Sequence, residues 1–399
     1  PSFSHVLDDW PVTNQKQSGR CWCFAGLNLL RAGAIQALNL KDFEFSQNYT
    51  LFWDKYERAN YFLECMIEMV DRDVDDRTVA YMLAHPIDDG GQWNMFVNIV
   101  AKHGLVPKEA MPESESSSCT RRMNESLESL LRQAARDLRA ASARGEGEDE
   151  LRSHKDDILE TIWRVLAIHL GTPPEEILWQ WTDKDKVFHR DGVMTPVEFA
   201  KKYAGVNVEE YVCIVNDPRE SSPYGKTFTV DRLGNVVGGA MVKYLNVTSD
   251  VMKQLTRDEI VQHQRPVWMG CDVGKMLNND LGYWDAQLLD FEGVYDAQFK
   301  MDKAARLEHG DTLMTHAMLF TGVDVLEDGT IRRWRVENSW GDERGSKGYY
   351  TMNDSWFEEH MFEVAVPKSS LPAELQEALE EEPIVLPAWD PMGALANGS

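Results

Sequence analysis

The sequence predicts an α+β fold in which a helical lobe packs against an antiparallel, barrel-like sheet. An apolar run begins at Cys21 and continues past Leu30. Helical periodicity returns at residues 127–139 and 158–169, whereas strand-like runs at 313–321, 334–341 and 348–352 gather near the C-terminal end. This order divides the chain into a helical lobe (1–112), a mainly helical insertion (113–265), a β lobe (266–366) and a tail (367–399).

The first lobe holds the densest chemistry. In Asn14-Gln15-Lys16-Gln17-Ser18-Gly19-Arg20-Cys21-Trp22, an amide and a thiol stand six residues apart at the mouth of the apolar helix. The partial positive charge of a helix N-terminus favours the thiolate, so the pKa of Cys21 is expected to fall. Free cysteine is also a common packing residue, and Cys21 needs partners before it counts as a nucleophile. Further on, Gly90-Gly91-Gln92-Trp93 offers a backbone with no side chain to block a substrate, although a Gly-Gly pair equally reads as an ordinary turn.

Within the insertion, Gly145-Glu146-Gly147-Glu148-Asp149-Glu150 reads as a solvated loop between two helices. Thr195 caps a further helix that has Pro196 at its first position. An insertion this long costs little in loop entropy but must bury apolar faces of its own.

The β lobe supplies the missing partners. His316 is the single imidazole in an apolar strand-like run, and Asn338 closes the next one. A thiolate needs an imidazolium beside it, and the imidazole needs its second N–H held by an acceptor, which the Asn338 side-chain carbonyl provides if the two strands are neighbours. Trp340 is placed to shield that hydrogen bond from water.

Gly-Arg-Cys-Trp, the later His316 and Asn338-Ser339-Trp340-Gly341, in that chain order, resemble the papain-like cysteine peptidases. The resemblance implies that Gln15 stabilises the oxyanion, Cys21 attacks, His316 is general base and acid, and Asn338 orients the ring. Asp89-Gly90-Gly91-Gln92-Trp93, Cys119-Thr120-Arg121-Arg122-Met123, Val215-Asn216-Asp217-Pro218-Arg219, Gly270-Cys271-Asp272-Val273-Gly274-Lys275 and Leu386-Pro387-Ala388-Trp389-Asp390-Pro391-Met392-Gly393-Ala394-Leu395-Ala396 narrow it to the bleomycin hydrolases, the cytosolic aminopeptidase branch of that family. It covers essentially the whole chain. It implies a cytoplasmic enzyme acting on peptides and small amides, with Gly90, Gly91, Trp340 and Ala396 at the substrate and an insertion that builds the contacts of a homohexamer. Family members carry a further helical segment before the point matching Pro1, so the N-terminus reads as truncated.

On composition alone, a terminal segment is expected to be disordered. The tail carries Trp389 and many aliphatic residues, which disordered segments rarely do, and Ile384 to Trp389 favour an extended conformation. The resemblance implies that the tail lies in the cleft and fills the subsites upstream of the cleaved bond. The Ala396 carboxylate would then pair with the free α-amine of a substrate. Here Asn397-Gly398-Ser399 follow, which would overrun the cleft, so either they are trimmed, or they bend away, or the activity differs.

Composition closes several other routes. The net charge of -25, from 41 Lys+Arg against 66 Asp+Glu, works against nucleic-acid binding, which requires phosphate neutralisation. No apolar run reaches the roughly 18 residues of a membrane span, and the first ten residues lack the basic start and apolar core of a signal peptide. Six cysteines are too few for a disulfide framework in 399 residues, and a reducing cytosol fits them. Cys21-x-Cys23 suggests a metal, but no second pair stands at ligand spacing, so neither metal nor cofactor is expected. Two rivals share the motifs. A catalytically silent assembly protein would leave Cys21 unreactive towards thiol reagents, and an acyltransferase of transglutaminase type normally carries Asp where Asn338 stands.

Overall fold

The computed structural model describes residues 2–7 and 10–396. Its first long helix, α1 (Cys21–Leu38), is buried on every side over its first eleven residues, Asn28 and Arg31 included. Helix α2 (Gln47–Glu68) starts at Ser46, whose hydroxyl accepts from the Tyr49 N–H.

The insertion opens with a helical hairpin, Arg121–Ala143 and Glu148–Leu170, packed against α2. Both helices are longer than their periodic stretches, and the second absorbs half of the expected acidic loop. Glu148, Asp149 and Glu150 form its first turn, where negative charge meets the positive end of the helix dipole, and Glu150 accepts from the Gly147 N–H. Thr195 caps Pro196–Tyr203 and accepts from the Glu198 N–H, with Pro196 at the first position.

A 12-stranded sheet forms the other lobe. Its centre is antiparallel and runs Tyr211–Val215, Met361–Pro367, Val267–Cys271, His316–Val325, Ile331–Glu337 and Tyr349–Asn353 in spatial order. Parallel pairs occur towards the edges, including the tail strand Ile384–Leu386 against Thr227–Val230. Three strands come from residues 211–246, a stretch the sequence reading gave to the insertion. Short buried strands carry no alternation that separates them from helix.

The strand His316–Val325 is buried on both faces. Ala317 and Leu319 face the core shared with the helices, and Met318, Phe320 and Val323 face a second core beneath Ser249–Val261 and Asp354–His360. Helix α1 lies on the first face, where Trp268 Nε1 donates to the Trp22 carbonyl at 3.0 Å. The start of α1 and the start of the His316 strand therefore meet.

Candidate active site

The loop before α1 is stitched to the loop after Glu337. Gln15 N donates to Ser339 O at 2.8 Å, Gly341 N donates to Thr13 O at 3.0 Å, and Asn14 bridges Trp340. Gly341 has φ +79°, and a Cβ there would lie 2.6 Å from Asn14 Nδ2, so only glycine fits. The buried Gln15 amide is pinned at both ends. Its oxygen accepts from Ser339 Oγ at 2.6 Å, and its nitrogen donates to Ser18 O at 2.6 Å, with the second amide hydrogen left over.

Charged groups hold the last residues before the thiol. The Arg20 guanidinium is buried, makes a bidentate pair with Glu113 at 2.9 and 2.8 Å and donates through Nε to Ser18 Oγ. Gly19 N donates to Asp89 Oδ2 at 3.1 Å, and Asp89 also receives Lys55 Nζ at 2.7 Å, Asn124 Nδ2 at 2.7 Å and the Thr120 hydroxyl. Burial acts to raise the Asp89 carboxyl, but the Lys55 charge and these donors hold it well below the usual range.

Cys21 is fully buried at the first position of α1, where its Sγ accepts from Ala317 N at 3.4 Å and donates to Ala396 O at 3.2 Å. Its pKa runs opposite to the sequence expectation. Burial beneath the tail pushes the thiol up to about 12, outweighing the backbone N–H groups of Ala317, Trp22 and Cys21 itself, and the Asp89 charge adds to the rise. Helix-terminus stabilisation of a thiolate is the smaller effect once water is excluded.

His316 opens its strand level with Cys271, and Asn338 directly follows the neighbouring strand Ile331–Glu337. His316 Nε2 lies 2.9 Å from Asn338 Oδ1, which also accepts from Ser339 N at 2.8 Å. Two donors on one amide oxygen fix the Asn338 orientation and make His316 Nε2 the protonated nitrogen. Nδ1, buried with no hydrogen-bond partner among the described residues, is left as the proton acceptor. Burial drives the His316 pKa down to about 4 against the Asn338 hydrogen bond, so thiol and imidazole are both neutral with the tail seated. The Trp340 ring lies 4.7 Å from the imidazole, centroid to centroid.

The tail reaches the thiol through a chain of contacts. Asp390 takes a bidentate pair from Arg219 at 3.1 and 2.9 Å, Trp389 lies under the Arg77 guanidinium, Tyr244 Oη donates to Met392 O, and Gln92 Nε2 donates to Ala394 O at 2.6 Å. Ala396, fully buried, ends this path on Cys21. Its group at the thiol is a peptide carbonyl, and Asn397, Gly398 and Ser399 lie outside the described residues.

Gly90 and Gly91, expected at the substrate, also serve the packing around Trp22 and Arg58. A Cβ on Gly91 would lie 2.6 Å from the Trp22 ring, so this glycine admits an indole, and the Gly90 carbonyl accepts from Arg58 Nη2 at 2.6 Å. The neighbour that touches the tail is Gln92. In the sequence, Asp89, Ser339 and Arg219 stand only as members of motifs with no role assigned, and Glu113 is not singled out, because their partners lie far away in the chain. All six cysteines are unpaired, and no described group of three or more His, Cys, Asp or Glu side chains converges as a metal site would.

The match to known proteins decides the family. Residues 1–393 fit the model of the Peptidase C1-like family. The chain belongs to the peptidase C1-like family. It is 46% identical to bleomycin hydrolase of Mus musculus over 99% of this chain and 89% of that protein. It is 45% identical to aminopeptidase C of Lactococcus lactis subsp. lactis (strain IL1403), with the same coverage of 99% and 89%. The crystal structure of PepW from Lactobacillus rhamnosis HN001 superposes with a TM-score of 0.97 at 44% identity, covering 99% of this chain and 89% of that one. The fold is papain-like, and the chain is a cysteine peptidase of the bleomycin hydrolase and aminopeptidase C type. No helix among the described residues is long and apolar enough to cross a membrane.

Proposed function

We propose that the enzyme removes residues from the free N-termini of peptides and hydrolyses small amides such as bleomycin. Cys21 attacks the carbonyl carbon, passing its proton to His316 Nδ1. The oxyanion is held by the Gln15 amide and the Cys21 backbone N–H. His316 then gives the proton to the leaving amine and activates the water that frees the acyl group, while Asn338 keeps Nε2 protonated throughout. The observation that carries this reading is the seat of Ala396 O, 3.2 Å from Cys21 Sγ. A cleft filled by its own chain up to the nucleophile accepts substrate from one side, so the residue attacked must be the first of its peptide. In a chain trimmed to Ala396, the terminal carboxylate becomes the partner of the substrate α-amine.

The test compares a fluorogenic aminoacyl amide with its N-acetylated counterpart, in the full chain, a chain ending at Ala396 and a chain ending at Asp390. The chain ending at Ala396 is expected to be fastest on the free amine and poor on the acetylated form. The chain ending at Asp390 should lose aminopeptidase activity and gain cleavage of blocked peptides at the same Cys21. Equal cleavage of free and blocked substrates in every chain would overturn the reading.

A homohexamer in the cytoplasm is part of the proposal. Leu178, Phe188 and Val193, exposed on the hairpin Ile177–Thr182 and Phe188–Met194, support burial against another copy, and six unpaired cysteines support a reducing compartment. A single monomeric species in sedimentation velocity at micromolar concentration argues against the hexamer.

A further inference from the structure

Glu337, the residue before Asn338, ends the strand Ile331–Glu337 with its side chain fully buried, and the proposed chemistry gives it no role. Its Oε1 accepts from Arg31 Nη2 at 2.6 Å, and its Oε2 accepts from Trp10 Nε1 at 3.3 Å. Arginine keeps its proton inside a protein, so the group beside it is a carboxylate, although burial raises the Glu337 pKa against the Arg31 charge. Arg31 is equally buried. Its Nη2 also donates to Pro11 O at 2.9 Å, and no other carboxylate pairs with it among the described residues.

A pair of this kind is a poor source of stability. Two charges taken out of water lose much of what their attraction returns, and well-packed apolar residues of the same volume often serve as well. What a charged hydrogen bond supplies is direction. Three segments meet at this one. α1 carries Cys21, ten residues and about 15 Å along the axis from Arg31. Residues 10–15 carry Gln15 and are tied to α1 again by Asn28 Nδ2, which donates to Thr13 Oγ1 at 2.9 Å. The strand end carries Asn338, and Tyr349 Oη on the next strand donates to Trp10 O at 2.8 Å.

Leu319, the partner of Glu337 across the sheet, faces the core shared with α1, so Glu337 points at α1 while Asn338, one residue on, reaches His316. The pair has no net charge, and the His316 pKa answers to burial and to the Asn338 hydrogen bond. Its effect on the site is therefore one of geometry.

We propose that Glu337 and Arg31 are positioning residues, which fix the backbone entering Asn338 relative to α1 and thereby aim the His316 imidazole at the Cys21 thiol. Without the pair, the helix and the strand keep their places in the fold, but the Asn338 amide and the ring it holds shift slightly. Proton transfer between Sγ and Nδ1 then loses its alignment, which substrate binding does not need. This proposal rests on the reading of Cys21, His316 and Asn338 as the reacting groups.

The test removes both charges together. Arg31→Met/Glu337→Leu leaves no buried charge without a partner, so its denaturant midpoint should stay near that of the parent. On a fluorogenic aminoacyl amide, kcat is nevertheless expected to fall at least tenfold, with KM within twofold and the midpoints of the pH profile of kcat/KM unmoved. Asn338→Ala, made in the parent and in this double variant, completes a cycle. If the pair acts through Asn338, the triple variant is within twofold of Asn338→Ala, whereas independent losses multiply. Parent kcat in the double variant, a loss confined to KM, or multiplying losses overturns the positioning role while the triad reading stands. Asn338→Ala with parent kcat overturns both. Should the double variant lose stability, Glu337→Asp decides, since it keeps the charge and shortens its arm by one methylene. A kcat at least threefold lower at unchanged KM is expected there, and parent kcat overturns the proposal.

Discussion

The two halves of the proposed catalytic pair, Cys21 and His316, are held by opposite means. On the helical side, the backbone before Cys21 is fixed by buried charges: Arg20 with Glu113, and Asp89 with Lys55 and three uncharged donors. On the sheet side, His316 is fixed by its strand, the Trp340 ring and one hydrogen bond to Asn338. The difference follows from what each half must supply. An oxyanion site depends on the direction of backbone and amide N–H groups, which ion pairs in a dry interior lock in place. A general base must stay neutral until it takes a proton, so it is surrounded by groups that add no charge.

Four measurements break or sharpen this contrast. The largest effect belongs to Cys21→Ala, which is expected to abolish hydrolysis with little change in stability, because few atoms are removed. Near-normal turnover there, with Cys23→Ala inactive, would assign the reaction to the other sulfur. Next is Asp89→Asn, which leaves Lys55 and a buried cluster of donors without their charge partner. Denaturant unfolding should show a loss of about 3–5 kcal/mol. Asn338→Ala should instead lower kcat far more than it lowers stability, and the reverse ranking of the two variants would dissolve the contrast. Gln15→Ala should reduce kcat by roughly a hundredfold, as one oxyanion donor is lost, and a change confined to KM would make Gln15 a substrate-binding residue only.

The smallest effect concerns Glu363. Its folded pKa of about 8 lies above the ordinary 4.5, so it contributes stability that is complete below about pH 4.5 and is lost as pH rises through 8. The melting temperature of Glu363→Gln relative to the parent should therefore climb between pH 5 and pH 8. A difference that stays flat over this window means the carboxyl titrates normally.

What the sequence disclosed of this site was local. Gln15 and Cys21 share one short loop, Asn338 and Trp340 another, and Thr195 with Pro196 marked a helix start that the structure reproduces. The hidden part depends on distant pairing. Asp390 meets Arg219 across 171 positions, and Asp89 collects Lys55, Thr120 and Asn124 from two other elements, so no spacing announces either cluster. The acidic run at 146–150 misled for a different reason: negative charge signals solvent, and equally the first turn of a helix. The expected fall in the Cys21 pKa failed because a chain read in one dimension does not reveal that residue 396 lies on residue 21.

That seat makes the enzyme its own tethered ligand. A covalently attached segment is present at an effective concentration in the millimolar range when its span suits the site, whatever the concentration of the protein. Any peptide that needs the space under the tail competes against this standing occupant, and its apparent affinity falls in proportion to the fraction of molecules with the cleft open. A ligand that enters only from the free side meets no such competitor. On the proposed reading, selectivity between the two kinds of substrate is set by whether residues 388–396 are seated, and substitutions at Arg219 or Asp390 are expected to shift it without touching a reacting atom.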